Sequence, residues 1–289
     1  MTPHPKPLSP LAELEWKSIQ YRRTMLTLVR RAKAGHIGGD LSCIDILNVL
    51  YNAVMDITPA NFQSAARDHY IQSKGHAAEA LFTVLADRGF YPPALLDSAG
   101  QYRSPFIGHP TRHVPGVEHN TGGLGHGLAV AAGLALALKT DGTPHRVFTL
   151  LGDGELEEGS NWEASMFAAR YQLDNLTVIV DRNGLQITDR TEAVSQLEPL
   201  ADKFRAFGYA VCVVDGNSLP ALLETFAQLP FEPGKPNLVL AQTTKGKGIS
   251  FIEDTLIWHH HVPSDEEYTL ALEELALAEA DWRRRYADR

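Results

Sequence analysis

The sequence predicts an α/β fold, with an open, mainly parallel sheet flanked by helices. Two observations in the second half of the chain support this prediction. Short β-branched segments bounded by turn residues alternate with segments of helical periodicity. The short segments are also nearly continuous in apolar residues, which is typical of parallel strands buried between layers of helices. At 289 residues the chain is long enough to bury such a core.

The first part of the chain is predicted to be helical. Apolar residues with helical spacing run over residues 11–33, and Gly35 ends this helix. Ser42 is the predicted N-cap of a second helix that continues to Leu50, and a third helix is predicted over residues 77–87. A long ordered loop is then predicted at residues 90–123. Loops of this length in compact domains are usually functional.

The second part of the chain supplies the predicted sheet. Strands are predicted at residues 147–151, 176–180, 210–214 and 238–241. Helices are predicted between and after them at residues 162–171, 198–207, 219–229 and 264–288. We therefore expect a single domain over residues 1–289, with a flexible proline-rich segment at residues 1–10.

Composition excludes several classes of partner. The chain has 35 acidic and 26 basic residues, a net charge of −9, so no general attraction to nucleic acid or to an anionic membrane is expected. Any phosphate site must therefore be built locally. The two cysteines, Cys43 and Cys212, are far apart and fit a reducing compartment. The N-terminal segment lacks the apolar stretch of a signal peptide, and we expect a cytoplasmic protein.

Polar residues follow two consecutive predicted strands. The strand at residues 147–151 is followed by Gly152, Asp153 and Gly154, and Asn183 follows the next strand. Ligands bind at the carboxyl ends of parallel strands, so these side chains will lie together if the two strands are neighbours. Both offer oxygen ligands of the kind that Mg²⁺ prefers, and the flanking glycine allows close approach of a phosphate. A tight turn without a ligand is the alternative.

Four histidines stand in short, distinctive contexts. They are His36, His76, His109 and His259. Histidine is the side chain best suited to proton transfer near neutral pH. A structural or merely exposed histidine is the alternative interpretation at each position.

Taken together, these segments resemble the transketolase family. The Asp153–Asn183 pattern is similar to the metal-binding signature of thiamine diphosphate enzymes in general. The segments specific to transketolases are residues 35–38, 73–77, 108–110, 121–127, 152–159, 163–164, 243–248 and 258–259. Their order and spacing hold from about residue 11 to 285, so the resemblance covers nearly the whole chain.

The resemblance implies a thiamine-diphosphate-binding fold, in which this chain is the pyrophosphate domain. The implied cofactors are thiamine diphosphate and Mg²⁺, for which Ca²⁺ or Mn²⁺ can substitute. The implied metal ligands are Asp153, Asn183 and the main-chain carbonyl of Leu185. The implied cofactor contacts are His76, Gly122, Gly123, Leu124, Gly154, Asn183 and His259.

The resemblance also implies catalytic roles for histidines. The implied catalytic residues are His36, His76, His109 and His259, of which His36 and His109 line the sugar channel. Glu158 matches a family acid at a subunit contact, and an ordinary surface acid is the alternative.

Three positions depart from the family pattern. Ile37 and Gly123 each replace a proline, and His126 replaces a glutamine. The first two change loops that touch ligand, and we expect an effect on substrate range more than on cofactor binding. His126 is interpreted as a residue at a helix N-terminus, and His260 and His261 as exposed surface histidines.

The implied activity is transfer of a two-carbon ketol unit from a ketose phosphate to an aldose phosphate. Pentose phosphates are the expected substrates, although a more specialised sugar phosphate is an open alternative. The family also needs a glutamate from a pyrimidine-binding domain, which full-length members carry downstream. This chain ends at Arg289, so we expect a C-terminal partner subunit to supply that domain, in an α₂β₂ heterotetramer.

Three alternative functions stay open. The chain resembles deoxyxylulose-phosphate synthases and the α subunits of 2-oxo acid dehydrogenases in the Asp153–Asn183 pattern, but these explain the histidine segments less well. A non-catalytic, cofactor-binding regulatory subunit is the third alternative. The four intact histidines argue against it.

Overall fold

The computed structural model describes residues 9–286, and its elements form an α/β architecture. The helices are α1 (Pro10–Ala32), α2 (Ile37–Val49), α3 (Ala78–Asp87), α4 (Gly127–Thr140), α5 (Gly159–Arg170), α6 (Thr191–Val194), α7 (Leu200–Phe207), α8 (Leu219–Ala227) and α9 (Asp265–Tyr286). The strands are β1 (His69–Gln72), β2 (Val147–Gly152), β3 (Leu176–Arg182), β4 (Ala210–Asp215) and β5 (Asn237–Gln242). Their order in the sheet is β1-β2-β3-β5-β4, and every pair is parallel. The predicted fold class is confirmed.

Helix α1 begins where its sequence signals indicate. The Ser9 hydroxyl accepts a hydrogen bond from the Ala12 amide at 3.2 Å, and Pro10 occupies the first turn, where no amide hydrogen is needed. Most of the segment predicted to be flexible at residues 1–10 lies outside the described residues. The end of the last predicted helix, residues 287–288, also lies outside them.

The predicted start of the second helix is wrong. Helix α2 begins at Ile37, so Ser42 lies inside the helix rather than at its N-cap. The Ser42 hydroxyl donates instead to the Asp181 carboxylate at 2.6 Å. Every residue of α2 is buried, so the helix is held by packing on all sides and needs no capping side chain.

Strand β1 was not predicted. Its four residues, His-Tyr-Ile-Gln, are all buried but do not form an apolar run. The polar groups at this edge are satisfied by Glu118 in the long loop. The Glu118 carboxylate accepts from Arg67 at 2.9 Å and from the Tyr70 amide at 2.8 Å. The strand therefore depends on a partner distant in sequence, which local periodicity does not reveal.

The central strands β2, β3 and β5 are buried on both faces of the sheet. Phe148 and Leu150 face the cluster formed with α1, α2 and α3, whereas Val147 and Leu151 face the cluster formed with α4, α5 and α7. This alternation places an apolar side chain on each side of every central strand, as a parallel sheet between helices requires. Among the residues that the structure describes, no helix has both the length and the apolar character needed to cross a membrane.

The last helix, α9, packs against the first helix, α1. The indole nitrogen of Trp282 in α9 donates to the Ala12 carbonyl in α1 at 2.8 Å. The rings of Trp282 and Trp16 lie 4.8 Å apart, and Trp282 is only 6% exposed. Helix α9 thus covers the outer side of α1.

Candidate functional site

A cavity of about 470 Å³ lies at the carboxyl ends of β1, β2 and β3. Its lining includes His36, His76, His109, Gly122, Leu124, Asp153, Gly154, Asn183, Leu185 and His259, all of which are predicted site residues. The remaining predicted residue, Gly123, is outside the lining and lies against the ring of His126. Residues from nearly every part of the chain therefore meet at one place.

Asp153 is fixed in orientation by three donors. It follows β2, and its neighbour β3 leads to Asn183, as the sequence predicted. One carboxylate oxygen, Oδ2, accepts from the Gly184 amide at 2.6 Å and from Arg182 at 3.0 Å. The other oxygen, Oδ1, accepts only from the adjacent Gly154 amide among the described residues, at 2.9 Å. Oδ1 thus retains lone-pair capacity for a ligand.

Asn183 and Leu185 bring two more oxygen atoms to the same cavity. The Asn183 side-chain oxygen accepts from the Leu185 amide at 3.1 Å, and its amide group donates to Asp181 at 3.2 Å. The Leu185 carbonyl accepts from the Lys245 ammonium at 3.2 Å. A carboxylate, an amide oxygen and a carbonyl form a hard donor set that suits Mg²⁺.

Two further observations fit a bound cation and phosphate here. Burial, and then the nearby charge of Asp181, raise the pKa of Asp153, so a cation at this carboxylate would stabilise its ionised form. The side-chain oxygen of Gln186, which also lines the cavity, is buried and has no hydrogen-bond partner among the described residues. A buried polar atom of this kind calls for a ligand or water.

The four predicted histidines form one cluster. The ring of His36 lies 5.5 Å from His76, 5.9 Å from His109 and 5.5 Å from His259. Burial, followed by the nearby charges of His260 and His109, lowers the pKa of His36 to about 4. Burial and Lys74 lower the pKa of His76 as well. These imidazoles are therefore neutral near pH 7 and can both donate and accept a hydrogen bond.

His259 has a defined partner on one ring nitrogen. The Lys245 side chain lies 2.7 Å from the Nδ1 atom of His259. Burial and then the Lys245 charge lower the pKa of His259 to about 3. Lys245 itself is only 2% exposed, and burial followed by the charge of Lys74 lowers its pKa to about 8. This pairing leaves the Nε2 atom of His259 for a ligand in the cavity.

Sequence reasoning missed several polar residues around the cavity. Lys74 and Asp181, both fully buried, form an ion pair, and Lys74 also donates to the Gly39 carbonyl at 3.1 Å. Burial alone would lower the pKa of Lys74, but the Asp181 charge raises it. Glu155 accepts from the Gly125 and Gly152 amides at 2.9 and 3.0 Å. For Glu155, the sequence signal was a charged side chain placed beside glycines directly after a strand.

The departures from the family pattern fall in different environments. Ile37 is fully buried as the first residue of α2. His126 is the N-cap residue of α4, as predicted. His260 is exposed as predicted, but its ring lies 4.4 Å from His36, which sequence reasoning did not foresee. His261 is half-buried and pairs with Glu267 at 3.0 Å, so its interpretation as an exposed surface residue is wrong.

Comparison with known proteins gives consistent results. Residues 15–277 match the family described as transketolase, thiamine diphosphate binding domain. The chain is 47% identical over 266 residues to an apulose-4-phosphate transketolase subunit of Actinobacillus succinogenes, covering 91% of this chain and 96% of that protein. It is 44% identical over 263 residues to the identically named protein of Phocaeicola vulgatus, covering 91% and 94%.

The structure resembles a solved transketolase as well. The transketolase from Leishmania mexicana superposes with a TM-score of 0.80 at 27% sequence identity. The match covers 94% of this chain but only 46% of that one, so the chain spans about half the length of this relative.

Proposed function

The chain belongs to the transketolase family, as its thiamine diphosphate-binding domain, and we propose that it works as one subunit of a two-chain transketolase. In this proposal it transfers a two-carbon ketol unit from a ketose phosphate to an aldose phosphate. The single observation that supports it best is the meeting of His36, His76, His109 and His259 with the oxygen donors of Asp153, Asn183 and Leu185 in one cavity.

Within this cavity the chain's residues would share the work of binding. Asp153, Asn183 and the Leu185 carbonyl would hold Mg²⁺, and this ion would anchor the diphosphate. The proposed cofactor contacts are His76, Gly122, Gly123, Leu124, Gly154, Asn183 and His259. When bound, thiamine diphosphate supplies the electron sink that permits cleavage of the carbon–carbon bond next to a ketone.

The neutral histidines would handle protons and orient the sugar. His36 and His109 line the cavity beside one another, where they can hydrogen-bond hydroxyl and carbonyl oxygens of a sugar. Because each imidazole is neutral near pH 7, it can donate one hydrogen bond to a sugar oxygen and accept another.

We also propose a partner subunit. It would contribute the pyrimidine-binding domain and the activating glutamate, in an α₂β₂ heterotetramer. Two relatives that match over more than nine-tenths of their length are themselves named as transketolase subunits, which supports a divided enzyme. The exposed acid Glu158, at the N-cap of α5 and in the cavity lining, is our candidate for a contact with another subunit.

For the substrate we propose a ketose phosphate of the apulose 4-phosphate type. The same two relatives are named for that sugar phosphate and share 44% and 47% of their aligned residues with this chain. The departures Ile37 and Gly123 are chain neighbours of the cavity-lining residues His36, Gly122 and Leu124, so they can alter how a sugar fits. Linear pentose phosphates are the second substrate class to test. The comparisons favour transketolase over the synthase and dehydrogenase alternatives.

The activity test measures ketol transfer by this chain alone and together with the matching C-terminal subunit. Donors are apulose 4-phosphate or xylulose 5-phosphate, with an aldose phosphate acceptor, thiamine diphosphate and Mg²⁺. We expect activity only in the mixture, and higher kcat/KM with apulose 4-phosphate. Substitution His109→Ala should reduce kcat by about 100-fold or more. The exposed His113, in the same loop, provides the control H113A. Activity of the chain alone, or no effect of H109A, would contradict the proposal.

Cofactor binding can be tested without turnover. Calorimetric titration of this chain with thiamine diphosphate and Mg²⁺ should show that Asp153→Asn weakens Mg²⁺-dependent binding by about 10- to 100-fold. The matched control is Asp174→Asn. Asp174 precedes β3 at the amino ends of the strands, away from the cavity, and it pairs with Lys139. Equal affinity of D153N and D174N for the cofactor would exclude Asp153 as a metal ligand.

A further inference from the structure

Three histidines at the rim of the cavity approach one another closely enough to share a metal ion. One ring nitrogen from each of His36, His259 and His260 lies within 4.8 Å of the other two. The ring centroids are 4.4 Å apart for His36 and His260, and 4.7 Å apart for His259 and His260. His36 and His259 line the cavity, whereas His260 is exposed beside them.

The free nitrogen atoms of these rings suit metal ligation. The Nδ1 atom of His36 is buried and has no hydrogen-bond partner among the described residues. Lys245 lies 2.7 Å from the Nδ1 atom of His259, which leaves the Nε2 atom of that ring as the ligand atom. Burial is the largest cause that keeps His36 and His259 neutral near pH 7, and a neutral imidazole is the form that binds a metal.

The geometry requires only a small closure. Zinc–nitrogen bonds of about 2.0–2.1 Å in a tetrahedron place the ligand atoms roughly 3.4 Å apart. Nitrogens that are up to 4.8 Å apart must therefore approach by up to about 1.4 Å. His260 is exposed and can rotate about its side-chain bonds toward both partners, while small rotations of His36 and His259 bring these two rings together.

We propose that His36, His259 and His260 form a second metal site, for a borderline transition-metal ion such as Zn²⁺ or Co²⁺. Three protein ligands leave the fourth position of a tetrahedral ion to water. This site differs from the proposed Mg²⁺ site in its ligands, since imidazole nitrogen favours Zn²⁺ and related ions whereas Mg²⁺ favours oxygen. The proposal does not rest on ketol transfer.

Nearby charges determine how tightly such an ion binds. Lys245 contacts His259 directly and opposes a cation. Lys74 also faces the cluster, but its charge is paired with Asp181. We therefore expect weaker binding than in a structural zinc site, where thiolates or carboxylates neutralise the ion.

Occupancy of this site would have a functional consequence. An ion on His36 and His259 would occupy one imidazole of the sugar channel and one proposed cofactor contact, and it would narrow the entrance at His260. We therefore expect Zn²⁺ to inhibit the reconstituted enzyme at concentrations far below those of Mg²⁺ present in the assay. Mg²⁺ in excess would not displace it, because the two ions prefer different donors.

The test is a titration of the purified chain with Co²⁺ in the presence of Mg²⁺ and without thiamine diphosphate, because His259 is also a proposed cofactor contact. Tetrahedral Co²⁺ with nitrogen ligands absorbs visible light strongly. We therefore expect the absorption to saturate at one equivalent of Co²⁺ per chain. Substitution His260→Ala should weaken Co²⁺ binding by at least about 10-fold and remove the absorption. Zn²⁺ added afterwards should bleach the signal by displacing Co²⁺.

The neighbouring residue gives a matched control. His261 pairs with Glu267 and lies against Trp258, so H261A should leave the Co²⁺ signal unchanged. Thermal unfolding of both variants checks that each is folded, and His260→Asn provides a second removal of the imidazole if H260A is not. Absence of a tetrahedral signal in the unmodified chain would overturn the proposal. So would equal Co²⁺ affinity of the H260A and H261A variants.

Discussion

At the scale of single residues, the site combines oxygen donors at the ends of β2 and β3 with the buried ion pair of Lys74 and Asp181. Asp153 and Asn183 each follow an apolar strand, so the pairing of two consecutive strands was sufficient to bring them together. Lys74 is buried only because Asp181, 107 residues away, neutralises it. A lysine is ordinarily solvated, and its burial depends on a partner that sequence spacing does not identify.

The histidine cluster leads to a prediction about stability and pH. The folded state keeps His36 neutral down to a pKa of about 4, whereas the unfolded chain takes up a proton near its ordinary value of 6.5. Because the unfolded state then binds more protons, the free energy of unfolding must fall as pH decreases through this window. We expect His36→Asn to reduce this fall by about 1 kcal/mol between about pH 7 and pH 5, after a discount for the exposed part of the ring.

Urea unfolding at several pH values measures this effect. The exposed His113 gives the control H113N, which should keep the pH dependence of the unmodified chain. If the free energy of unfolding depended on pH equally steeply in H36N and H113N, the pKa of His36 would not be lowered in the folded protein.

At the scale of elements, periodicity located the buried strands of the second half but not β1. Strands β2, β3 and β5 have β-branched, apolar residues and are almost fully buried, so local preference and burial agree. The edge strand β4 has the same residue types but is only partly buried. Strand β1 is polar by sequence and is buried because Glu118 satisfies its edge. Likewise Ser42 has the residue type of a cap, yet tertiary contact with Asp181 decides its place.

The ion pair between Lys74 and Asp181 links the ends of β1 and β3, and its removal tests this link. Substitution Lys74→Met leaves the fully buried Asp181 charge uncompensated, which should lower the free energy of unfolding by about 3–5 kcal/mol. The double substitution K74M/D181N should recover part of this loss, because it removes both charges.

Chemical denaturation of the three proteins measures these energies. The exposed pair of Lys139 and Asp174 offers the control K139M, which should lower the free energy of unfolding by about 1 kcal/mol or less. Similar costs for K74M and K139M would show that the buried pair does not hold the two strands together.

At the scale of the whole molecule, the sheet separates two apolar clusters, and this arrangement follows from alternation along the strands. The fold class was therefore predictable from sequence. The packing of α9 on α1 was not, because it joins opposite ends of the chain through Trp282 and Ala12. Helical periodicity shows that a helix has an apolar face but not which element covers that face.

Trp282 provides the test of that closure. Substitution Trp282→Ala removes a buried ring and its hydrogen bond to α1, so the free energy of unfolding should fall by about 3–5 kcal/mol. In the same helix Leu277 is 72% exposed, and L277A should change stability by less than about 0.5 kcal/mol. Thermal or urea unfolding distinguishes the two, and equal stability of both variants would mean that α9 contributes little to the fold.

The wide separation of the cavity residues along the chain also determines when the cavity is complete during translation. His36 and His259 end 5.5 Å apart, yet 223 residues separate them in the chain. At typical elongation rates of about 5–20 residues per second, His36 waits roughly 10–45 s for its neighbour to be made. A nascent chain that does not yet include His259 lacks part of the cavity lining, so the cofactor cannot assist the early stages of folding. Capture of thiamine diphosphate is thus a final step, which follows the translation of every residue that lines the cavity.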